Sequence, residues 1–423
     1  MTQSFPLPSA GERAGVQRRT VTVLSVGQVL GGVAFGATLS LGAVLAAEVS
    51  GDDALSGLAT AAVTLGTAAV AMPLAALARR AGRRASLTVG TMGALVGVVG
   101  VILAASVGSF VLLLAAFFLV GAGQAANLQS RFAATDLATD ATRGRDLSLV
   151  VWATTVGAVL GPNLAGPGEA LGAALGMPPL TGAYVFTIAA QALAIVLYLA
   201  ALRPDPLVLA VRLRTAAAGL SQGAVAGADR PRLARYAVFA VAASHVVMVS
   251  VMAMTPVHLL HHGADLVVVG LTLSLHIAGM YALAPLFGIL ADRWGRMPTI
   301  LLGQGVLASS LVLASFGAES TAAVTLALIL LGLGWSAATV AGAALLTEAS
   351  AEDRRTRRQG FSDFAMSFVG ALGAIGSGVV LAAIGYSGLA LVVGAAVVAT
   401  VVLAPVAVAD GAARGRGAGG AGT

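Results

Sequence analysis

The chain has 423 residues, 58% hydrophobic and only 10% charged, with a mean hydropathy of +0.94. Soluble domains carry about 25% charged residues, so the composition excludes one and indicates a polytopic membrane protein. The net charge is +6, and there is no cysteine, which excludes disulfides and thiolate metal sites.

Residues 1–20 are polar, with Pro6, Pro8, Glu12, Arg13, Arg18 and Arg19. They hold no apolar run, so no cleavable signal peptide is expected. A membrane-crossing helix needs ~20 mainly apolar residues. Twelve such segments are predicted, over 21–46, 54–77, 86–107, 109–131, 146–166, 181–202, 236–260, 266–290, 298–316, 321–346, 360–384 and 387–409. Helices are required, because backbone facing lipid must satisfy its hydrogen bonds internally. The expected fold class is therefore an all-α membrane protein. It has an N-terminal tail (1–20), a six-helix bundle (21–202), a central loop (203–235), a second six-helix bundle (236–409) and a disordered tail (410–423).

All 24 basic residues are arginines. They lie before the first span, in every even-to-odd loop and after the last span; none is in an odd-to-even loop. Those loops carry Glu48, Asp52, Asp53, Glu169, Asp265 and Glu319 instead. The positive-inside rule then puts both termini and the central loop in the cytoplasm of a plasma-membrane protein. This asymmetry accounts for the basic charge, so the expected partner is the bilayer and not nucleic acid.

The halves repeat at a shift of 213 residues. Ala75 to Arg83 falls on Gly288 to Arg296, Gly121 on Gly334, Arg145 on Arg358, and Val156-Gly157-Ala158 on Val369-Gly370-Ala371. Duplicated six-helix halves are a transporter pattern. The stretch Gly288-Ile-Leu-Ala-Asp292-Arg293-Trp-Gly295-Arg296 resembles the G-x-L-A-D-R-x-G-R signature of the major facilitator superfamily, at the position that family has it. The resemblance covers the whole chain and implies the twelve-helix facilitator fold with alternating access. Gly288 permits close helix contact and Gly295 turns the chain. Asp292, Arg293 and Arg296 can pair across a cytoplasmic gate. The first-half copy departs from the pattern, with Arg79 at the acidic position and Ala75 at the first glycine.

All five histidines fall between His245 and Met280, with four of the ten methionines. His245, Met248 and Met252 share one face of the seventh span, and His276 and Met280 share a face of the eighth. Imidazole and thioether without carboxylate suit Cu(I) better than Zn(II), Mn(II) or Mg(II). Met-x-x-x-Met followed by His-x-x-x-Met on the next helix resembles the CcoA-like copper importers, a branch of the superfamily that also contains riboflavin transporters. That resemblance implies metal contacts from Met248, Met252, His276 and Met280, and copper import for haem–copper oxidase assembly. His258, His261 and His262, at the outer end of the seventh span beside Asp265, are candidates to collect a cation at the mouth. Met254 lies on another face and is expected to pack, as methionine at helical spacing commonly does.

Gln124 and Asn127 are polar within the fourth span, so they either line the pathway or join helices. Proton-driven drug exporters usually carry an arginine upstream in this span, where Phe117 stands here. Gly157 to Gly166 resembles part of the antiporter signature, but close packing with a proline kink explains it as well. No carboxylate lies near the middle of a span, so His245 or His276 is the expected proton carrier if protons drive transport. No P-loop, hydrolytic triad or dinucleotide fingerprint is present, and no enzyme is expected. The sequence thus favours a monomeric secondary transporter that imports copper as its substrate, with no resident cofactor. A transporter of a small organic solute, by riboflavin-like import or drug efflux, is the alternative. A metal sensor is disfavoured, because the loop and tails lack an output module.

Overall fold

The first helix opens on a capping box. The Ser9 hydroxyl accepts the Glu12 N–H at 3.3 Å, and the Glu12 carboxylate accepts the Ser9 N–H at 2.7 Å. The computed structural model describes residues 9–51, 55, 57–220, 229–264 and 266–418, and among these there are helices and turns but no strand. In order the helices are α1 (Ala10–Ser50), α2 (Gly57–Val107), α3 (Phe110–Ala133), α4 (Arg143–Asn163), α5 (Ala165–Ala174), α6 (Ala183–Ala201) and α7 (Pro206–Leu220). The second half follows with α8 (Pro231–His261), α9 (Leu266–Tyr281), α10 (Ala284–Arg293), α11 (Arg296–Phe316), α12 (Thr321–Glu348) and α13 (Glu352–Ala418).

Two of these helices are double spans. Gly82 in α2 has φ 88° and Gly385 in α13 has φ 72°. Only glycine takes these conformations without strain, and each turns one stretch into two crossings. These glycines fall between the second and third, and the eleventh and twelfth, expected spans. Among the described residues eight helices are long and apolar enough to cross a membrane, α2 and α13 included.

Three boundaries depart from expectation. Helix α1 starts at Ala10 inside the expected tail, because the capping box nucleates it early. The fifth span continues past Pro167 as α5; proline is tolerated there because it sits in that helix's first turn. The last helix runs to Ala418, past the start of the expected tail at residue 410. No proline follows Pro405 to end it. The central loop also forms α7, which the sequence reading did not foresee.

The bundles meet unevenly. At the arginine-rich end one apolar cluster spans both halves, joining Phe132, Leu147 and Val151 to Ala237, Ala240, Ala284, Ala291 and Val340. At the opposite end each half keeps its own core. Leu45, Val63, Val101 and Leu113 form one, and Val251, Leu259, Leu311 and Leu328 the other. The structure is therefore closed at the arginine-rich end.

Candidate substrate pathway and gate

The signature stretch sits where α10 meets the start of α4. Asp292 accepts the backbone N–H groups of Gly144 and Arg145, each at 2.9 Å. These are unsatisfied donors of the first turn of α4, at the positive end of its dipole. Arg296 braces the carboxylate at 3.1 Å and reaches the Asp140 carbonyl at 2.8 Å and Glu348 at 3.3 Å. A Cβ at Gly288 would overlap Ser148 Oγ and the Gly144 carbonyl, so this approach of α10 to α4 requires glycine. Gly295 caps α11 at φ 102°, and Arg293 is exposed.

The first-half copy works through different residues. Arg79 is exposed. Arg83, the counterpart of Arg296, is buried, holds both oxygens of Asp136 at 2.9 and 3.1 Å, and crosses to Gln359 at 2.8 Å. Where the copy has Ala75 in place of glycine, the facing helix supplies Gly360, whose Cβ would overlap that of Ala75.

Another ion pair does cross the halves. Arg131 of α3 donates to Asp363 of α13 at 2.5 Å, with side chains 3% and 0% exposed. In the sequence, Arg131 stands at the end of the fourth expected span and Asp363 near the start of the eleventh, far apart in the chain. The signal that could have found them is that Asp363 is the sole acid within the eleventh expected span.

Between the halves lies a small cavity of about 40 Å³. Gln28, Gln124, Asn127 and Arg131 line one side, and Tyr281, Trp335, Ser336 and Thr339 the other. The Tyr281 and Trp335 rings meet edge to face at 5.9 Å. The Trp335 indole N–H donates to His245 Nδ1 at 3.1 Å, which places the proton of the neutral imidazole on Nε2. Gln124 and Asn127 thus line this cavity. Arg131 is the only charged residue in the lining among the described residues.

The four thioether and imidazole candidates are elsewhere. None lines this cavity. Met248 and Met280 are buried in the core of the second half away from the arginine-rich end, with Met252 and Met254 packed against it. His276 is fully buried. Its Nδ1–H donates to the Leu328 carbonyl at 2.8 Å, and Nε2 has no hydrogen-bond partner. Gly332 lets α12 approach the backbone at His276 and Met280.

His258 and His262 pack together: their rings lie 4.1 Å apart, and His262 Nδ1–H donates to the His258 carbonyl at 2.8 Å. His258 is buried, stacks on Tyr386 at 4.2 Å and donates from Nε2 to the Ala318 carbonyl at 2.8 Å. His262 is exposed, with Nε2 3.4 Å from Glu319. The side chain of His261, and Asp265 altogether, lie outside the described residues. Among the described residues no group of three or more His, Cys, Asp or Glu could hold a metal.

The profile of the Major Facilitator Superfamily matches residues 24–263 and 236–421. The chain is 37% identical over 377 residues to the uncharacterised MFS-type transporter YddS of Bacillus subtilis strain 168, covering 88% of this chain and 86% of that one. It is 29% identical over 365 residues to the riboflavin transporter RfnT of Brucella anthropi, covering 84% and 86%. In fold it is similar to the human organic anion transporter MFSD10, with a TM-score of 0.75 at 18% identity, covering 92% of this chain and 99% of that one. Fold, duplicated halves, gate signature and relatives agree, and the chain belongs to the Major Facilitator Superfamily of membrane transporters.

Proposed function

We propose that this secondary transporter imports a small, flat organic solute through the cavity between its halves, as a single chain in the bacterial plasma membrane with both termini cytoplasmic. The cavity lining carries this reading. Amides and hydroxyls offer hydrogen bonds, Trp335 and Tyr281 offer ring faces or edges, and Arg131 offers the one charge. The Arg131 guanidinium, though paired with Asp363, brings N–H donors to the lining, which suits a solute with acceptor groups. The likeness to a riboflavin transporter supports a conjugated solute of that kind. The cavity must widen to admit it, as alternating access requires. Riboflavin uptake into a riboflavin auxotroph carrying the gene or an empty vector tests the reading. Equal growth on limiting riboflavin would remove flavins as its substrate.

A second reading is copper import through Met248, Met252, His276 and Met280. One observation favours it: His276 Nδ1–H is held by Leu328, leaving Nε2 buried and bare. Metal-binding imidazoles are commonly oriented in this way by their other nitrogen. The thioethers of Met248 and Met280 belong to one apolar cluster with Met252 beside it, which suits a soft ion. Met252→Leu removes the sulfur while keeping volume. On this reading both Met252→Leu and His276→Leu lose cellular copper accumulation, and normal copper in both would dismiss it.

A further inference from the structure

We propose that Asp363 binds the proton that drives transport, and that the Arg131–Asp363 pair is the latch this proton releases. The proposal concerns the driving ion and holds whichever solute the cavity carries.

Four observations converge. The pair joins α3 of one half to α13 of the other, so the halves cannot part at the arginine-rich end while it holds. Only one carboxylate oxygen is engaged; Asp363 Oδ2 is buried with no hydrogen-bond partner, and so is Arg131 Nε. Arg131 lines the central cavity, so one partner of the pair borders the space between the halves. Asp136, by contrast, has both oxygens on Arg83, a residue of its own half.

The charged groups acting on Asp363 are Arg131 from α3 and Arg83 from α2. Helix α8 contributes His245, whose ring lies against Gly370, seven residues further along α13. Among the described residues α11 and α12 contribute no charge that acts on it. The histidines are poorer carriers than the sequence suggested. His245 Nδ1 is bonded to Trp335 and His276 Nδ1 to Leu328, both within the second half. Protonating either ring breaks no bond between halves.

The step balances simply. One proton adds to the free oxygen, the carboxylate becomes a carboxylic acid, and Arg131 stays a guanidinium. The pair passes from no net charge to one positive charge. An uncompensated guanidinium in a dry contact is unfavourable, and parting α3 from α13 lets water reach it. Proton uptake therefore favours the form open at the arginine-rich end.

The chain has no cysteine, so spin labels can be placed at will. Ala141→Cys and Arg357→Cys put one label on each half at exposed positions of that end. Distances between them are measured in lipid nanodiscs at about pH 8 and about pH 5.5. With Asp363 intact, the long-distance population is expected to rise by about threefold or more on acidification. In Asp363→Asn the pH step disappears and the open form is populated throughout, while Asp136→Asn keeps the step. Should Asp363→Asn fail to fold, Arg131→Gln is expected to lose the step as well. The proposal is overturned if the Asp363 protein shows no pH step, or if Asp363→Asn or Arg131→Gln keeps it.

Discussion

Asp292 in the second half accepts the backbone N–H of Gly144 in the first half at 2.9 Å. A carboxylate on a helix N-terminus contributes roughly 0.3–2 kcal/mol, depending on burial. Asp292→Asn keeps one acceptor oxygen but loses the charge. Initial uptake should fall several-fold, up to about thirtyfold at the upper end of that range, with solute binding retained. Comparing uptake rates with equilibrium binding checks this; unchanged uptake would remove Asp292 from the gate.

Gly288→Ala tests the same contact by steric means. The new methyl would overlap Ser148 Oγ and the Gly144 carbonyl. The variant should disfavour closure at the arginine-rich end without unfolding the second half. A cysteine at exposed Ala141 should then react faster with a bulky maleimide than in the otherwise native chain. An unchanged labelling rate would mean that α10 and α4 part at no cost.

Arg83 and Asp136 form a buried pair that is bidentate within one half. Removing one partner of such a pair costs about 3–5 kcal/mol, whereas replacing both with apolar groups is often neutral. Arg83→Met should lower the thermal midpoint in detergent sharply, and Arg83→Met with Asp136→Leu should recover much of the loss. If the double variant is as unstable as the single, the bond to Gln359 at 2.8 Å matters more than the pair.

Asp229, ahead of α8 and outside the spans, is held below the usual carboxylate range by hydrogen bonding from Arg358 and, after the opposing effect of partial burial, by the Ala351 N–H. A depressed folded value means the stabilisation is fully present above the unfolded value, near 3.9, and fades as pH falls through the folded one. The melting difference between the native chain and Asp229→Asn should be constant from about pH 7 to about pH 5 and shrink only below about pH 4. A difference that shrinks already at about pH 6 would assign the effect to another group.

The fold was legible in the sequence because its two strongest signals are one-dimensional. Apolar runs set the spans, and the arginines mark one end of them. Gly82 and Gly385 even mark the breaks inside α2 and α13. The contact at Asp292 was legible in part, since the signature names the acid, but its partner is a backbone that no side-chain pattern discloses. Gln124 and Asn127 stood out as polar residues in an apolar span, and they do line the cavity. Trp335, Tyr281 and Arg131 did not stand out. An aromatic ring or a span-end arginine looks the same in a sequence whether it faces lipid, loop or cavity. The Asp363 contact joins residues 232 positions apart, a pairing only the folded bundle makes.

The second half's face of the apolar cluster shared by the halves is built largely of alanine, with Ala234, Ala237, Ala240, Ala284, Ala291, Ala341 and Ala343 in it, and the first half brings Phe132, Leu147 and Val151 to that face. Methyl groups let helices run close together and form only shallow grooves for those three side chains. Each also covers little area, so parting them exposes little apolar surface per residue. The contact behaves as a smooth bearing. It aligns the two bundles without clamping them, and leaves the choice of when to open to a few charges at its edge.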